Sequence, residues 1–186
     1  DGNRGLTAAG SFGQSIDKKK RWYFNLGTDV KLDRSVDFAN TDETADFQKS
    51  IVHNLHVSPN ASIAYHYSKW NVAFKASADW ERLTSAQKGF ETLSQIDYLY
   101  TLSLNAPLPL GIDLNTDFNL YMRRGYSDRA MNIDEWVWNA NLSRSIDKRK
   151  AWLVKLSARD LLGQLSAVRR TLNAQGRTET VSNTLT

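Results

Sequence analysis

GIDLNTDFNLYM, residues 111–122, alternates apolar and polar side chains along its whole length. In an extended chain the two sets point to opposite sides: Ile112, Leu114, Thr116, Phe118 and Leu120, against Asp113, Asn115, Asp117 and Asn119. A period of two residues over this length predicts a β-strand with one apolar and one polar face.

The same alternation recurs in seven other stretches, so the sequence predicts eight strands and almost no helix. Their predicted spans are 5–16, 21–33, 50–67, 70–82, 92–105, 111–123, 135–146 and 151–160. Short turns are expected at 17–20, 68–69, 106–110 and 147–150, and long polar loops at 33–49, 81–91 and 124–134. Short turns on one rim and long loops on the other are typical of up-and-down transmembrane β-barrels.

An internal repeat marks two of the short turns. SIDKKKRWYFNL at 15–26 and SIDKRKAWLVKL at 145–156 share a Ser-Ile-Asp start, a basic cluster and a Trp. Each copy predicts the end of one strand, a tight basic turn and the start of the next strand at an aromatic residue.

Composition narrows the class of protein. The 186 residues suit one domain, and the absence of Cys removes disulfides and thiolate metal sites. Mean hydropathy is -0.50, and no apolar run approaches the ~20 residues of a spanning helix. The first residues show no signal peptide. The net charge of +4 comes from bases gathered in turns, so no nucleic-acid partner is expected.

The two faces of the predicted strands differ in kind. Asn, Asp, Ser, Thr and Gly dominate the polar face, which suits a hydrated barrel interior better than the Lys- and Glu-rich outer face of a soluble sheet. The residues expected to face lipid are Phe24, Leu26, Phe74, Ile112, Leu114, Phe118, Val154 and Leu156. Those expected to face the lumen are Asn25, Asp29, Lys75, Asp113, Asn115, Asp117, Asn139 and Asn141.

Aromatic residues gather near the predicted strand ends, where indole and phenol rings would lie at the lipid headgroups. Those expected at the short-turn rim are Trp22, Trp70, Trp152, Tyr65 and Tyr67. Those expected towards the long-loop rim are Trp80, Trp136 and Trp138.

No arrangement of residues predicts catalysis, a cofactor or a metal, and the chain is not expected to be an enzyme. His56 and His66 share a face but lie ten residues apart, and His53 points the other way. Asp97 on the neighbouring strand is a candidate to approach Asp113 or Asp117 and form a weak cation site, although a solvated lumen wall is the simpler interpretation. Arginines in two predicted loops could meet lipopolysaccharide phosphates: Arg123, Arg124, Arg129, Arg169, Arg170 and Arg177.

Two stretches resemble TonB-dependent receptor-like outer-membrane barrels. VSPNASIAY at 57–65 resembles one of their strand patterns, and residues 139–175 are similar to their C-terminal region. There DLLGQ, at 160–164, matches a step that typically follows a penultimate strand in the family. The resemblance implies a late section of a barrel of about 22 strands. The family's plug domain, energy-coupling box and aromatic closing strand are not visible in this sequence.

The sequence therefore predicts an all-β, antiparallel, up-and-down transmembrane β-barrel section, one domain over 1–186, in the cell outer membrane. Its expected role is to form the wall of a nutrient-uptake receptor or transporter. Expected partners are outer-membrane lipid, lipopolysaccharide, the rest of the barrel with a plug domain, and a surface lipoprotein. With two open edges, such a section should self-associate. Two alternatives stay open: a complete eight-stranded barrel acting as adhesin or anchor, and a soluble β-sandwich or lipocalin-like binding protein.

Overall fold

A computed structural model describes residues 2–39, 48–86, 92–126, 129–147, 152–164, 168–173 and 176–181. Over these residues the chain is all-β, and eight strands form one antiparallel sheet in sequence order. The strands are β1 Arg4–Ser15, β2 Trp22–Ala39, β3 Gln48–Tyr67, β4 Trp70–Ser85, β5 Leu93–Leu108, β6 Ile112–Arg124, β7 Asp134–Ser145 and β8 Leu153–Ala158. Within the sheet β1 pairs only with β2 and β8 only with β7, so the sheet is open.

The structure confirms the eight antiparallel strands and their up-and-down order. Its strands run further towards the long-loop rim than the alternation suggested, because backbone pairing continues where the side chains no longer alternate. Ala39 of β2 still pairs with Gln48 of β3, inside the stretch 33–49 that was expected to be a loop. The only helical turns in the described residues are two 3₁₀ turns, Pro109–Gly111 and Arg129–Met131.

Two expectations were wrong about connections. The turn expected at 106–110 begins later, because β5 pairs with β6 through Leu108 opposite Ile112. The chain reverses at Leu110 and Gly111, which both have positive φ. Arg169, Arg170 and Arg177 were expected in a loop but lie in a separate two-stranded hairpin, β9 Val168–Asn173 and β10 Gly176–Val181. This hairpin has no clear apolar alternation in sequence, which is why it was missed.

No helix within the described part of the chain is long and apolar enough to cross a membrane.

The hydrogen-bonded rows of the sheet run obliquely to the strands. One row joins paired residues of neighbouring strands in the order Phe24, Ile63, Phe74, Leu102, Phe118 and Trp138. Phe24 lies beside the short turn at the start of β2, whereas Trp138 lies near the long-loop end of β7. The row therefore climbs from one rim towards the other, which is the stagger that accompanies tilted strands.

The two copies of the internal repeat make matching contacts between the residues on either side of their turns. Asp17 Oδ1 accepts hydrogen bonds from the backbone N–H groups of Arg21 at 2.7 Å and Trp22 at 2.9 Å. Asp147 Oδ1 accepts one from Trp152 N–H at 3.0 Å. In both copies the residue after the serine also pairs with the Trp carbonyl at 3.0 Å. The Asp of each copy therefore holds the Trp at the start of the next strand.

The DLLGQ stretch ends β8 and covers the edge of β7. Asp160 and Gly163 have positive φ, and Gly163 N–H donates to the Asp160 carbonyl at 2.9 Å. Leu161 N–H then donates to the Trp138 carbonyl at 2.8 Å, where a continuing strand would otherwise have paired. The outer edge of β7 is thus closed by a turn along part of its length.

Replacing Asp17 with Asn is expected to weaken the first turn. The N–H group of Trp22, followed by that of Arg21, holds the pKa of the Asp17 carboxyl below its usual value. Its contribution to stability is therefore complete above about pH 5 and is lost as the pH falls through the lowered pKa. Urea midpoints of the chain in detergent micelles should fall more on acidification for the wild type than for Asp17→Asn.

The matched control is Asp113→Asn, which changes an exposed carboxylate near the same rim. It should leave the urea midpoint at neutral pH unchanged, whereas Asp17→Asn should lower it. Equal pH dependence in Asp17→Asn and the wild type would contradict this role for the Asp17 carboxylate.

Candidate functional site

The cross-strand register collects apolar side chains from all eight strands onto one face, which we call the apolar face. Residues directly opposite each other in neighbouring strands point to the same side of a sheet. Every residue expected to face lipid lies on this face. Leu26 is 45 %, Phe74 44 %, Val154 54 % and Leu156 67 % exposed. Phe24, Ile112, Leu114 and Phe118 are half-buried, each beside neighbours in its own sheet.

The opposite face, which we call the polar face, carries all eight residues expected to face a lumen. Of these, Asn25, Asp29, Lys75, Asp113 and Asn115 are exposed, and Asp117, Asn139 and Asn141 are half-buried. The lipid and lumen assignments stay predictions.

Side chains are packed more tightly on the polar face than on the apolar face. Most of the buried strand residues lie there, namely Val52, Ala73, Leu83, Asn119 and Val137, whereas Ala106 is buried on the apolar side. A Cβ on Gly27, on the polar face, would lie 2.9 Å from Asn60 Oδ1. At Gly10, on the apolar face, a Cβ would meet nothing within 4 Å. This is the difference expected between the inside and the outside of a curved sheet.

A hydrogen-bond network crosses β5, β6 and β7 on the polar face. Asp117 Oδ2 accepts from the side-chain amides of Asn119 at 2.5 Å and Asn139 at 2.8 Å. Asn119 is only 8 % exposed, and its Oδ1 accepts from the Thr101 hydroxyl at 2.7 Å. Asn115 donates to Asn105 one row nearer the short turns. These bonds link polar side chains of three strands and satisfy the buried amide of Asn119.

Several aromatic rings of the apolar face lie near the strand ends, and their expected position at the lipid headgroups stays a prediction. At the short-turn rim, the rings of Trp22 and Tyr65 have centroids 4.7 Å apart, and the Arg21 guanidinium lies 4.6 Å from the centre of the Tyr67 ring. Trp70 and Trp152 are exposed at the same rim.

Towards the long loops, indole N–H groups have partners within the sheet. Trp80 Nε1 donates to Ser94 Oγ at 3.1 Å and Trp138 Nε1 to Thr116 Oγ1 at 2.8 Å. The Trp136 ring lies 5.1 Å from Phe118, between centroids. Trp138 therefore combines an exposed apolar ring with a hydrogen-bonded N–H group.

A cluster of His56, Ser58 and Asp79 on the polar face was not anticipated. The β3–β4 ladder skips Ser58 and Pro59, where proline has no N–H to donate. Ser58 Oγ donates to Asp79 Oδ1 at 3.1 Å, and His56 Nε2 also contacts that oxygen. Both partners meet the same imidazole nitrogen, since Ser58 Oγ lies 3.3 Å from Nε2. A Ser-His-Asp triad needs the hydroxyl and the carboxylate on opposite nitrogens, so this geometry does not form one.

Tyr126, in the loop after β6, folds onto the polar face. Its hydroxyl donates to Asp97 Oδ1 at 3.2 Å, and Arg123 Nε lies 3.5 Å from Asp97 Oδ2. Burial, followed by the charge of Asp97, raises the pKa of Tyr126 to about 12, so the hydroxyl stays a hydrogen-bond donor. The residue sits outside any alternating stretch, so sequence periodicity carried no signal for it.

Three of these residues, His56, Asp79 and Asp97, line a cavity of about 340 Å³ together with Glu81 and other polar side chains. Among the described residues, no three or more His, Asp and Glu side chains are grouped so that they could hold a metal ion. The suggested approach of Asp97 to Asp113 or Asp117 was wrong. Those two aspartates pair with Pro107 and Ser103, and Asp97 pairs with Arg123.

Comparison with protein-family models, curated proteins and solved structures finds no match to this chain.

Asn119→Ala should lower the free energy of unfolding by about 1–3 kcal/mol, because it removes the acceptor of the Thr101 hydroxyl and leaves Asp117 with only the bond from Asn139. Asn25→Ala is the matched control: Asn25 is exposed and donates only one long bond, 3.4 Å to Ser62 Oγ. Urea titrations in detergent micelles compare the two variants. A loss for Asn119→Ala no greater than that for Asn25→Ala would rule out a stabilising network.

Proposed function

We propose that this chain is a section of the wall of an outer-membrane β-barrel receptor or transporter for nutrient uptake. The observation that carries the proposal is the uncovered apolar face, which continues across all eight antiparallel strands. In water, a soluble monomer rarely leaves an apolar patch larger than a few hundred Å² uncovered. Contact with acyl chains would remove the free-energy cost of exposing this apolar surface to water, and no second protein layer would be needed.

Strand length and pairing support a position in the membrane. A strand needs about 9–11 residues to cross a bilayer at a tilt, and β2 to β7 have 12 to 20. The N–H and C=O groups of interior strands pair within the sheet, as hydrocarbon requires. Aromatic rings towards both rims fit the two headgroup levels.

The polar face fits the inside of such a barrel. Its amides and carboxylates would line a hydrated lumen, and its crowding matches a concave surface. In this proposal, the role of the chain is containment: it separates lipid from the path of a solute, and the long loops meet the solute outside.

Two alternatives have less support. A complete eight-stranded adhesin or anchor would need β1 to pair with β8, and within the described sheet these strands lie at opposite edges. A soluble sandwich or lipocalin-like carrier would turn its apolar side chains inward, whereas the described residues bury mainly the polar face. The open edges favour a larger barrel, of the TonB-dependent receptor-like kind, that supplies more strands and a plug domain.

A charge placed in the middle of the apolar face should disfavour membrane insertion, whereas the same charge at the same level of the polar face should not. Ala76 and Ser77 are neighbours in the middle of β4, are both half-buried, and point to opposite faces. Ala76→Arg should cost about 2–4 kcal/mol of folding free energy in a bilayer, and Ser77→Arg much less.

Folding of both variants into neutral phosphatidylcholine vesicles is measured by protease protection and by urea titration. A larger loss for Ser77→Arg than for Ala76→Arg would mean that lipid meets the polar face or neither face. A wild-type chain that stays monodisperse in plain buffer and does not partition into vesicles would overturn the proposal outright.

A further inference from the structure

Three arginines and a histidine gather on the apolar face near its long-loop end. Arg4 of β1 pairs directly with Arg34 of β2, and Arg34 pairs with His53 of β3. Arg82 of β4 lies one same-face row nearer the short turns, opposite Leu55. Directly opposed residues have Cβ atoms about 5 Å apart, so this register concentrates positive charge on a small area.

The cluster borders a cavity of about 700 Å³. Arg4, Arg34, His53 and Arg82 line it together with leucines of the neighbouring row. Asp33 also lines it, and its carboxylate pairs with Lys31 at 2.8 Å. Arg4, His53 and Arg82 are exposed. The side chain of Asn3 also holds the start of β1 against β2, since its Oδ1 accepts from Val36 N–H at 3.0 Å. Because most of its charged residues are exposed, the cavity is open to solvent. The strands that bound it are held together by backbone pairing.

Within the described part of the sheet, no ion pair balances the three arginines of this cluster. Like charges directly opposite each other in a sheet are destabilising, and Arg4 faces Arg34. Among the described residues, the ion pairs involve other bases, namely Lys31, His56, Arg123 and Arg124. An anion bound between the guanidinium groups would offset this repulsion.

The surroundings indicate what kind of anion fits. Leu6, Leu32 and Leu55 form the adjacent row of the same face, and Leu6 is 65 % exposed. Moving along the face, a ligand would thus meet guanidinium groups first and apolar side chains next. A phosphate group joined to acyl chains has the same order of chemistry.

We propose that Arg4, Arg34 and Arg82, with His53, bind the phosphate groups of a phosphorylated membrane lipid whose acyl chains lie along the leucine row. The site deepens the proposed function and rests on it, because the acyl chains share the apolar face with the bilayer. Guanidinium groups suit this role because they bind phosphate oxygens bidentately and stay charged at every relevant pH. Binding is non-covalent and changes no bond.

The test uses the 186-residue chain folded in neutral detergent micelles and titrated with fluorescent diphosphorylated lipid A. The triple variant Arg4→Gln, Arg34→Gln, Arg82→Gln should bind at least about tenfold more weakly, because three charge-assisted contacts are lost. The control Lys18→Gln, Lys19→Gln, Lys69→Gln removes the same charge from exposed turn residues at the other rim. It should change binding less than about twofold.

Two further probes separate lipid from free phosphate and from acyl chains alone. Dephosphorylated lipid A should bind at least about tenfold more weakly than the diphosphorylated form. Inorganic phosphate at the same concentration should not displace the fluorescent lipid. Equal binding of both lipids, full displacement by phosphate, or an equal loss in the control variant would each overturn the site.

Stability without lipid distinguishes a binding role from a structural one. Removing directly opposed like charges should leave the arginine triple variant at least as stable as the wild type in urea, when no phosphorylated lipid is present. A clear destabilisation would mean that the arginines support the fold, and would overturn the proposal.

The two proposals fail in different ways. A chain that inserts into vesicles but binds lipid A no better than the arginine variant keeps its barrel function and loses this site. A chain that binds lipid A in micelles but never inserts into vesicles loses the barrel function instead.

Discussion

In-phase pairing of successive strands is the constraint on which the rest of this structure depends. Side chains alternate between the two faces along each strand. A face therefore stays apolar across the sheet only if each strand pairs its apolar residues with those of the next strand, and we call such pairing in phase. Phe24, Phe74 and Phe118 come from different parts of the chain and fall in one row through intermediate pairs. Both faces, and every function proposed for them, follow from that phase.

The polar face shows how such a sheet is stabilised when its apolar side is left uncovered. Asn119 and Asp117 exchange hydrogen bonds with neighbouring strands, and Gly27 leaves room for the Asn60 side chain. An ordinary soluble sheet gains most of its stability from apolar burial against a second layer. Here polar contacts hold neighbouring strands together on one face, and many apolar side chains of the other face stay exposed.

Most of the fold could be predicted from sequence because alternation is a local property. The run at 111–122 identifies a strand without reference to any neighbour, and the Asp17 and Asp147 turns repeat one motif. The hairpin at 168–181 lacks that alternation and was missed. The contacts of Tyr126 with Asp97, and of Asp79 with His56 and Ser58, depend on which residues the register brings together. Single-strand patterns carry no information about such pairs.

The same phase limits how the length of this chain can change. Each ladder of the sheet keeps a one-to-one register, and even the gap at Ser58 and Pro59 leaves the pairing on either side in phase. If one residue were added inside β4 without a compensating bulge, all later side chains of that strand would move to the opposite face of the sheet. Chains with this sheet that are longer or shorter should therefore differ in the lengths of their long loops, whereas their strands should keep the same lengths.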